Sequence, residues 1–262
     1  MNTTQSSTIN KLLIFICALM LFPASAQAQI VGFSENFDGP TLDPAFSTLG
    51  DPDNHVGFDG MGQYCLANTA GDGATDLNRS VGGTNGDFTA SATFEPTVFL
   101  GTNSDIGFRF FGADGFVEVV WNSFNNVRVF HNDFSTAGAA GAGNLDLGGG
   151  ATQIPITGFM DGDSVEFDLT YLAGTQNISV NYTLNGGASQ SIFSGTGFGD
   201  GFGDFVTNFT GVRLNQFNAN GEGLPIAKVD SFSVQPLAVP EPGSLAMMSS
   251  VLLLMGFRRR RS

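Results

Sequence analysis

Between residues 30 and 236 apolar and polar side chains alternate with a period of two in stretch after stretch. Phe88, Ala90, Ala92 and Phe94 share one face of a segment whose other face carries Thr89, Ser91 and Thr93. Val165, Phe167 and Leu169 alternate with Glu166 and Asp168, and Ile178, Val180, Tyr182 and Leu184 with Ser179, Asn181 and Thr183. Successive side chains of a pleated strand point to opposite faces, so these segments are predicted to be antiparallel strands with one wet face. The run DIGFRFFGADGFVEVVWNSFNNVRVFHND predicts three strands turning at GADG and NSFNN. YLAGTQNISVNYTLNGG predicts a hairpin turning at Ala173, Gly174, Thr175 and Gln176. No segment of this body carries a helical stripe. Short strands separated by turns every 8–12 residues or so predict an all-β antiparallel sandwich of the jelly-roll kind.

The two chain ends break this pattern. Lys11 precedes an apolar run from Leu12 to Phe22, and Ala24-Ser25-Ala26 and Ala26-Gln27-Ala28 follow as small-residue cleavage sites. Residues 1–28 are therefore predicted to be a signal peptide, an apolar helix removed by signal peptidase. At the other end Pro240, Glu241 and Pro242 stop any strand, because proline has no N–H to donate. Residues 243–257 carry no charge. As a helix they would span roughly 22 Å, short of the ~30 Å hydrocarbon core. Arg258, Arg259, Arg260 and Arg261 follow at once. They are predicted to remain on the cytoplasmic side as a membrane stop, their stems reaching back along the short transmembrane helix. The organisation expected is a signal peptide over 1–28, a β-sandwich over 29–236 and a tail over 237–262.

Charge changes this picture once the ends are set apart. The full chain carries a net charge of −14, but residues 29–239 hold five basic and 23 acidic side chains, a charge of −18. Such a domain repels nucleic acid and anionic lipid, and nucleic-acid binding is excluded. The acidity suits solubility outside a cell, or a store of carboxylates for calcium. The aromatic content is 26 Phe against 3 Tyr and 1 Trp, a composition for a core more than for a wet surface. Cys17 leaves with the signal peptide and Cys65 then stands alone, so the mature chain has no internal disulfide; Cys65 is expected to be a small buried apolar residue.

At Val239 to Ser262 the chain resembles the PEP-CTERM proteins of Gram-negative bacteria. Three elements carry the resemblance: Pro240-Glu241-Pro242, a short apolar helix and the terminal arginine cluster. It implies recognition by an exosortase, cleavage near the motif, and transfer to the cell surface or an extracellular polysaccharide matrix. On that reading Pro240, Glu241 and Pro242 are substrate residues, and the membrane holds the chain only before processing. An anchor that is never cleaved is the alternative.

The body resembles a second group, the concanavalin A-like jelly rolls of the laminin G and glucanase type. SENFDGPTLDPAFS opens the domain and IAKVDSFSV closes it, and in that fold the first and last strands lie side by side. Members often hold a structural calcium between those strands, which by resemblance would fall near Glu35 and Asp230. Calcium takes oxygen ligands, and Asp51 to Asn54 and Asp161 to Ser164 are further oxygen clusters, although ordinary Asp/Gly turns account for them.

Some glycoside hydrolases of this fold carry an E-x-D-x-E strand. Glu166-Phe-Asp168-Leu-Thr170 is the nearest match, with Thr170 in place of the last acid, and a solvated strand face explains it fully. Neither His55 nor His131 stands in a nucleophile constellation. Trp121 shares a face with Val117 and Val119 and is expected in the core rather than under a sugar ring. The expectation is thus an exported, exosortase-sorted surface or matrix protein with a non-catalytic binding or structural sandwich. A secreted carbohydrate-active enzyme, a hydrolase or a lyase, is the alternative. Paired carboxylates beside an exposed aromatic on the concave sheet face would point to the enzyme.

Overall fold

A computed structural model of the chain describes residues 30–49, 57–66, 73–82, 86–113, 115–133, 142–173, 175, 177–196, 209–218 and 227–237. They belong to one compact unit, Ala28–Leu237. The signal peptide, the Pro240-Glu241-Pro242 motif, the apolar tail segment and Arg258 to Arg261 lie outside the described residues. Among the described residues there is no helix, and none long and apolar enough to cross a membrane.

Among the described residues, two eight-stranded antiparallel sheets pack face to face. The first contains β1 (Phe33–Glu35), β3 (Gly57–Phe58), β4 (Tyr64–Leu66), β6 (Phe88–Phe94), β12 (Val165–Leu172), β13 (Asn177–Leu184), β14 (Gln190–Thr196) and β16 (Ala227–Pro236). Its order is β14-β13-β12-β6-β16-β4-β3, with β1 also on β16. The second contains β2 (Phe46–Leu49), β5 (Gly73–Ser80), β7 (Ser104–Phe111), β8 (Gly115–Asn122), β9 (Asn126–Asp133), β10 (Ala142–Asn144), β11 (Ile154–Pro155) and β15 (Gly211–Asn218). Its order is β10-β9-β8-β7-β15-β5-β2, with β11 also on β9.

The alternation read from the sequence becomes the two faces of each sheet. β6 buries Phe88, Ala90, Ala92 and Phe94, and β12 buries Val165, Phe167, Leu169 and Tyr171. β1 pairs antiparallel with β16, Phe33 opposite Val234, so the two ends of the domain close the same sheet. Between the sheets lies a phenylalanine core in which rings meet edge to face. Phe88 and Phe209 are 5.4 Å apart at 89°, Phe110 and Phe209 5.5 Å at 72°, and Phe33 and Phe232 5.3 Å at 79°. Each buried phenylalanine contributes about 2–3 kcal/mol through the area removed from water, and such ring pairs add to it. Trp121 is fully buried against Phe99 and Phe159, and its indole N–H donates to Asn125 Oδ1 at 3.2 Å. Arg79 closes the rim: its guanidinium lies over Phe33 and Phe46 and pairs with Asp43, tying β1, β2 and the β1–β2 loop to β5.

Candidate functional site

β8 departs from simple alternation. Val117, Val119 and Trp121 face the core, as expected, yet Phe116, Glu118 and Val120 on its outer face are also buried. The outer face of the second sheet is therefore grooved. Registers place the contributors side by side. Arg109 on β7 lies opposite Glu118 on β8 and Arg213 on β15, Gly107 opposite Val120 and Asn215, and Phe130 on β9 opposite Glu118 and Asn144. Arg109, Glu118, Val120, Phe130, Asn144 and Asn215 line a pocket of about 360 Å³ whose rim includes Asp105, Arg128 and Phe217, and Arg213 stands beside Arg109 on the same face. Its volume sits at the lower end of the ~300–1,000 Å³ range of small-molecule sites.

Three ion pairs organise this face. Arg109 donates to Glu118 Oε2 at 2.8 Å, Arg128 to Asp105 at 2.7 Å and Arg213 to Asp76 at 2.7 Å. The second oxygen of Glu118 accepts from Asn215 Nδ2 at 2.7 Å. That bond runs from β8 to β15 across β7, and the crossing passes the position of Gly107. A Cβ on Gly107 would overlap the carbonyl oxygen of Val119 and lie 3.1 Å from its carbon, so no side chain fits without a shift of the strands. Aromatic rings hold the guanidiniums from the other side: Arg109 lies 3.9 Å over Phe116, and Arg213 4.8 Å over Phe111.

Burial pushes the Glu118 carboxyl above its ordinary range, with Arg109 and Asn215 pulling the other way. Burial does the same to Asp76 and Asp105, opposed by Arg213 and Arg128. Desolvation thus outweighs pairing at all three carboxylates. The Nε–H groups of Arg109, Arg128 and Arg213 are enclosed without a hydrogen-bond partner among the described residues, as are Oδ1 of Asn144 and of Asn215. A buried polar group left unpaired is costly, so such a concentration marks where water or a ligand completes the network.

The residues singled out in the sequence lie elsewhere. Glu166 and Asp168 stand on the outer face of the first sheet, half-buried, with Ser91 donating to Glu166 at 2.8 Å. Burial and the neighbouring Glu166 raise the Asp168 carboxyl. His131 and Cys65 are buried. Asp161 uses Oδ1 to cap the backbone N–H groups of Phe99 and Leu100, an ordinary turn role. His55 and Asp51 to Asn54 lie outside the described residues.

Glu35 sits opposite Phe232 of β16 and spends Oε1 on the backbone N–H of Phe37 at 3.0 Å. Asp230 occupies the register shift between Val229 and Ser231, where burial and Asp38 raise its carboxyl. Among the described residues no group of three or more His, Cys, Asp or Glu is placed to hold a metal ion.

Sequence reasoning did not single out the cleft. Its signal is faint but present: one charged residue of alternating sign stands mid-strand in each of GFRFF, FVEVV and NVRVF.

Comparison with known proteins bears on the tail and on the fold. The PEP-CTERM protein-sorting motif matches residues 238–261. The chain carries a PEP-CTERM sorting signal. The protein is thereby marked as exported and handled by an exosortase. No curated protein matches the chain. Among solved structures, the sandwich is similar to an endo-1,3-beta-glucanase from Streptomyces sioyaensis, with a TM-score of 0.58, 13% identity, and coverage of 83% of this chain and 99% of that one. It is similar to lectin II from Ulex europaeus at a TM-score of 0.51 and 10% identity, covering 79% and 99%. It is also similar to a xylan beta-1,4-xylosidase from Bacillus halodurans C-125 at 0.51 and 14%, covering 77% of this chain and 38% of that one. At these identities the likeness shows the concanavalin A-like sandwich and nothing of activity, since lectins and hydrolases share it.

Proposed function

We propose that this PEP-CTERM protein presents a non-catalytic, glycan-binding sandwich at the cell surface or in the surrounding polysaccharide matrix of a Gram-negative bacterium. The observation that carries this reading is the state of the carboxylates around the pocket. A glycosidase needs one carboxyl free to protonate the leaving oxygen and another to attack or to activate water. Here each of Glu118, Asp105 and Asp76 is tied to an arginine, and both oxygens of Glu118 are engaged. Fixed donors and acceptors beside Phe130 and the part-exposed Phe217 suit holding a polyhydroxylated ligand. Exosortase action near Pro240-Glu241-Pro242 would release the domain from its transient anchor.

The glycosidase reading rests on one observation, that burial raises Glu118 beside the pocket, as a general acid requires. The full-length chain in detergent, incubated with a panel of polysaccharides, separates the two. Retention on a polysaccharide column without new reducing ends is expected. Reducing ends that vanish in Glu118→Gln would instead establish a hydrolase. Mass spectrometry of the exported protein tests the tail: an intact Arg258 to Ser262 overturns cleavage.

A further inference from the structure

The pocket's chemistry narrows what it can select, granted the glycan-binding reading above. The domain has five basic residues in residues 29–239, and three of them, Arg109, Arg128 and Arg213, stand on this one sheet face. An arginine cluster ordinarily signals an anionic ligand. These arginines are already answered: each faces its own carboxylate on the same face, so the three pairs sum to zero. An acidic polymer would bring uncompensated charge to a neutral site inside a domain of charge −18.

The unpaired atoms add a preference for hydroxyls. The pocket is lined by residues with enclosed donors, the Nε–H groups of Arg109 and Arg128, and enclosed acceptors, Oδ1 of Asn144 and Asn215. A carboxylate group only accepts and cannot answer an asparagine oxygen, whereas a hydroxyl both donates and accepts and can answer either kind; the exclusion of acidic sugars rests on the charge balance. Phe217 is 37% exposed at the rim and Phe130 lines the wall, apolar surface for the carbon face of a sugar ring. We infer that the cleft selects a neutral, hydroxyl-rich glycan and rejects an acidic one, because every guanidinium on its face is neutralised in advance by a carboxylate of the protein.

The inference makes the carboxylates the gatekeepers, and that can be inverted. Asp105→Asn keeps the shape but strips Arg128 of its counter-charge. The test uses the full-length chain in detergent on two immobilised polymers, a neutral β-glucan and a polyuronate. The unaltered protein is expected on the neutral polymer alone, with affinity changing less than about twofold between ~0.05 and ~0.5 M salt. Asp105→Asn is expected to gain polyuronate binding that weakens roughly tenfold over the same salt range. If Asp105→Asn does not fold, Asp76→Asn frees Arg213 and makes the same test.

Tighter binding of the unaltered protein to polyuronate overturns the selectivity while leaving glycan binding in place. A folded Asp105→Asn or Asp76→Asn protein without polyuronate binding overturns the gatekeeping. Retention on neither polymer overturns the glycan-binding reading itself, and assigns the enclosed polar atoms to solvent.

Discussion

Replacing Arg109 by methionine isolates the energetics of the cleft. The side chain of Glu118 is 5% exposed and that of Arg109 24%, so the pair is buried on one side and half-screened on the other. Removing one partner of a fully buried pair costs about 3–5 kcal/mol, because a charge is left uncompensated. Here Asn215 still donates to Glu118 and water reaches the arginine side, which lowers the cost to about 2–3 kcal/mol. Loss of the stack on Phe116 adds about 0.5–1 kcal/mol. The sum, about 2.5–4 kcal/mol, corresponds to a fall in Tm of roughly 5–16 °C for a domain of this size.

The cost should depend on pH in a defined direction. Burial already raises the Glu118 carboxyl, and without Arg109 its main opposing influence is gone. A raised carboxyl takes up its proton in the folded state before the unfolded state does. Stability of Arg109→Met therefore rises as pH falls through the folded value and stops rising at the ordinary value near 4.5. Urea unfolding near pH 7 and pH 5 should show the deficit shrinking towards about 0.5–1 kcal/mol, the share of the Phe116 stack. Glu118→Gln in the same background should restore most of the neutral-pH loss. A deficit below about 1 kcal/mol at pH 7, or one equal at both pH values, would refute the view that a buried unpaired carboxylate is the cause.

Two further substitutions test the scaffold. Gly107→Ala must move β7 and β8 apart at the floor of the cleft, and is expected to cost about 1–3 kcal/mol in urea unfolding; a change under about 0.5 kcal/mol would mean the strands yield freely there. Asn125 has φ of 63°, accepts from Trp121 and donates to Ile156 O at 2.6 Å. Asn125→Ala should cost about 2–4 kcal/mol and shift the fluorescence of the sole tryptophan. Asn125→Gly, free of the backbone strain, should recover about 1 kcal/mol of that, and equal losses in both variants would leave the positive φ without consequence.

Where burial is one-sided, the fold was legible in the sequence. β6, β12 and β13 alternate cleanly because each has a core face and a wet face, and the β7–β8–β9 meander was marked by its Gly/Asp and Asn turns. β15 and β5 were not read, and the structure gives the reason. On β15 Val212 and Leu214 point inward, but so does Gln216, fully buried and accepting from the Ala227 backbone N–H. On β5 the inward set around Leu77 includes Thr75 and Arg79, the latter serving as a lid on Phe33 and Phe46. A polar residue whose partner lies on a distant strand looks, in one dimension, like a break in the pattern.

The cleft was hidden for a related reason, and it shows what net charge can and cannot say. A value of −18 for residues 29–239 describes the field that an approaching polymer meets at long range. It does not describe the pocket, where strand pairing at fixed register sets Arg109 against Glu118 and the rim pairs Arg128 with Asp105. In the sequence Arg128 and Asp105 are 23 residues apart, and Arg213 and Asp76 are 137 apart. No window along the chain brings either pair together. Their proximity follows from the order β9-β8-β7-β15-β5, which carries two charged side chains from β7 and one from each of the other strands onto a common face. Long-range repulsion of polyanions and a locally neutral pocket then act in the same direction, and both favour an uncharged ligand. The tail's four arginines lie outside residues 29–239 and are not counted in that value, which is why the address and the binding chemistry have to be read apart.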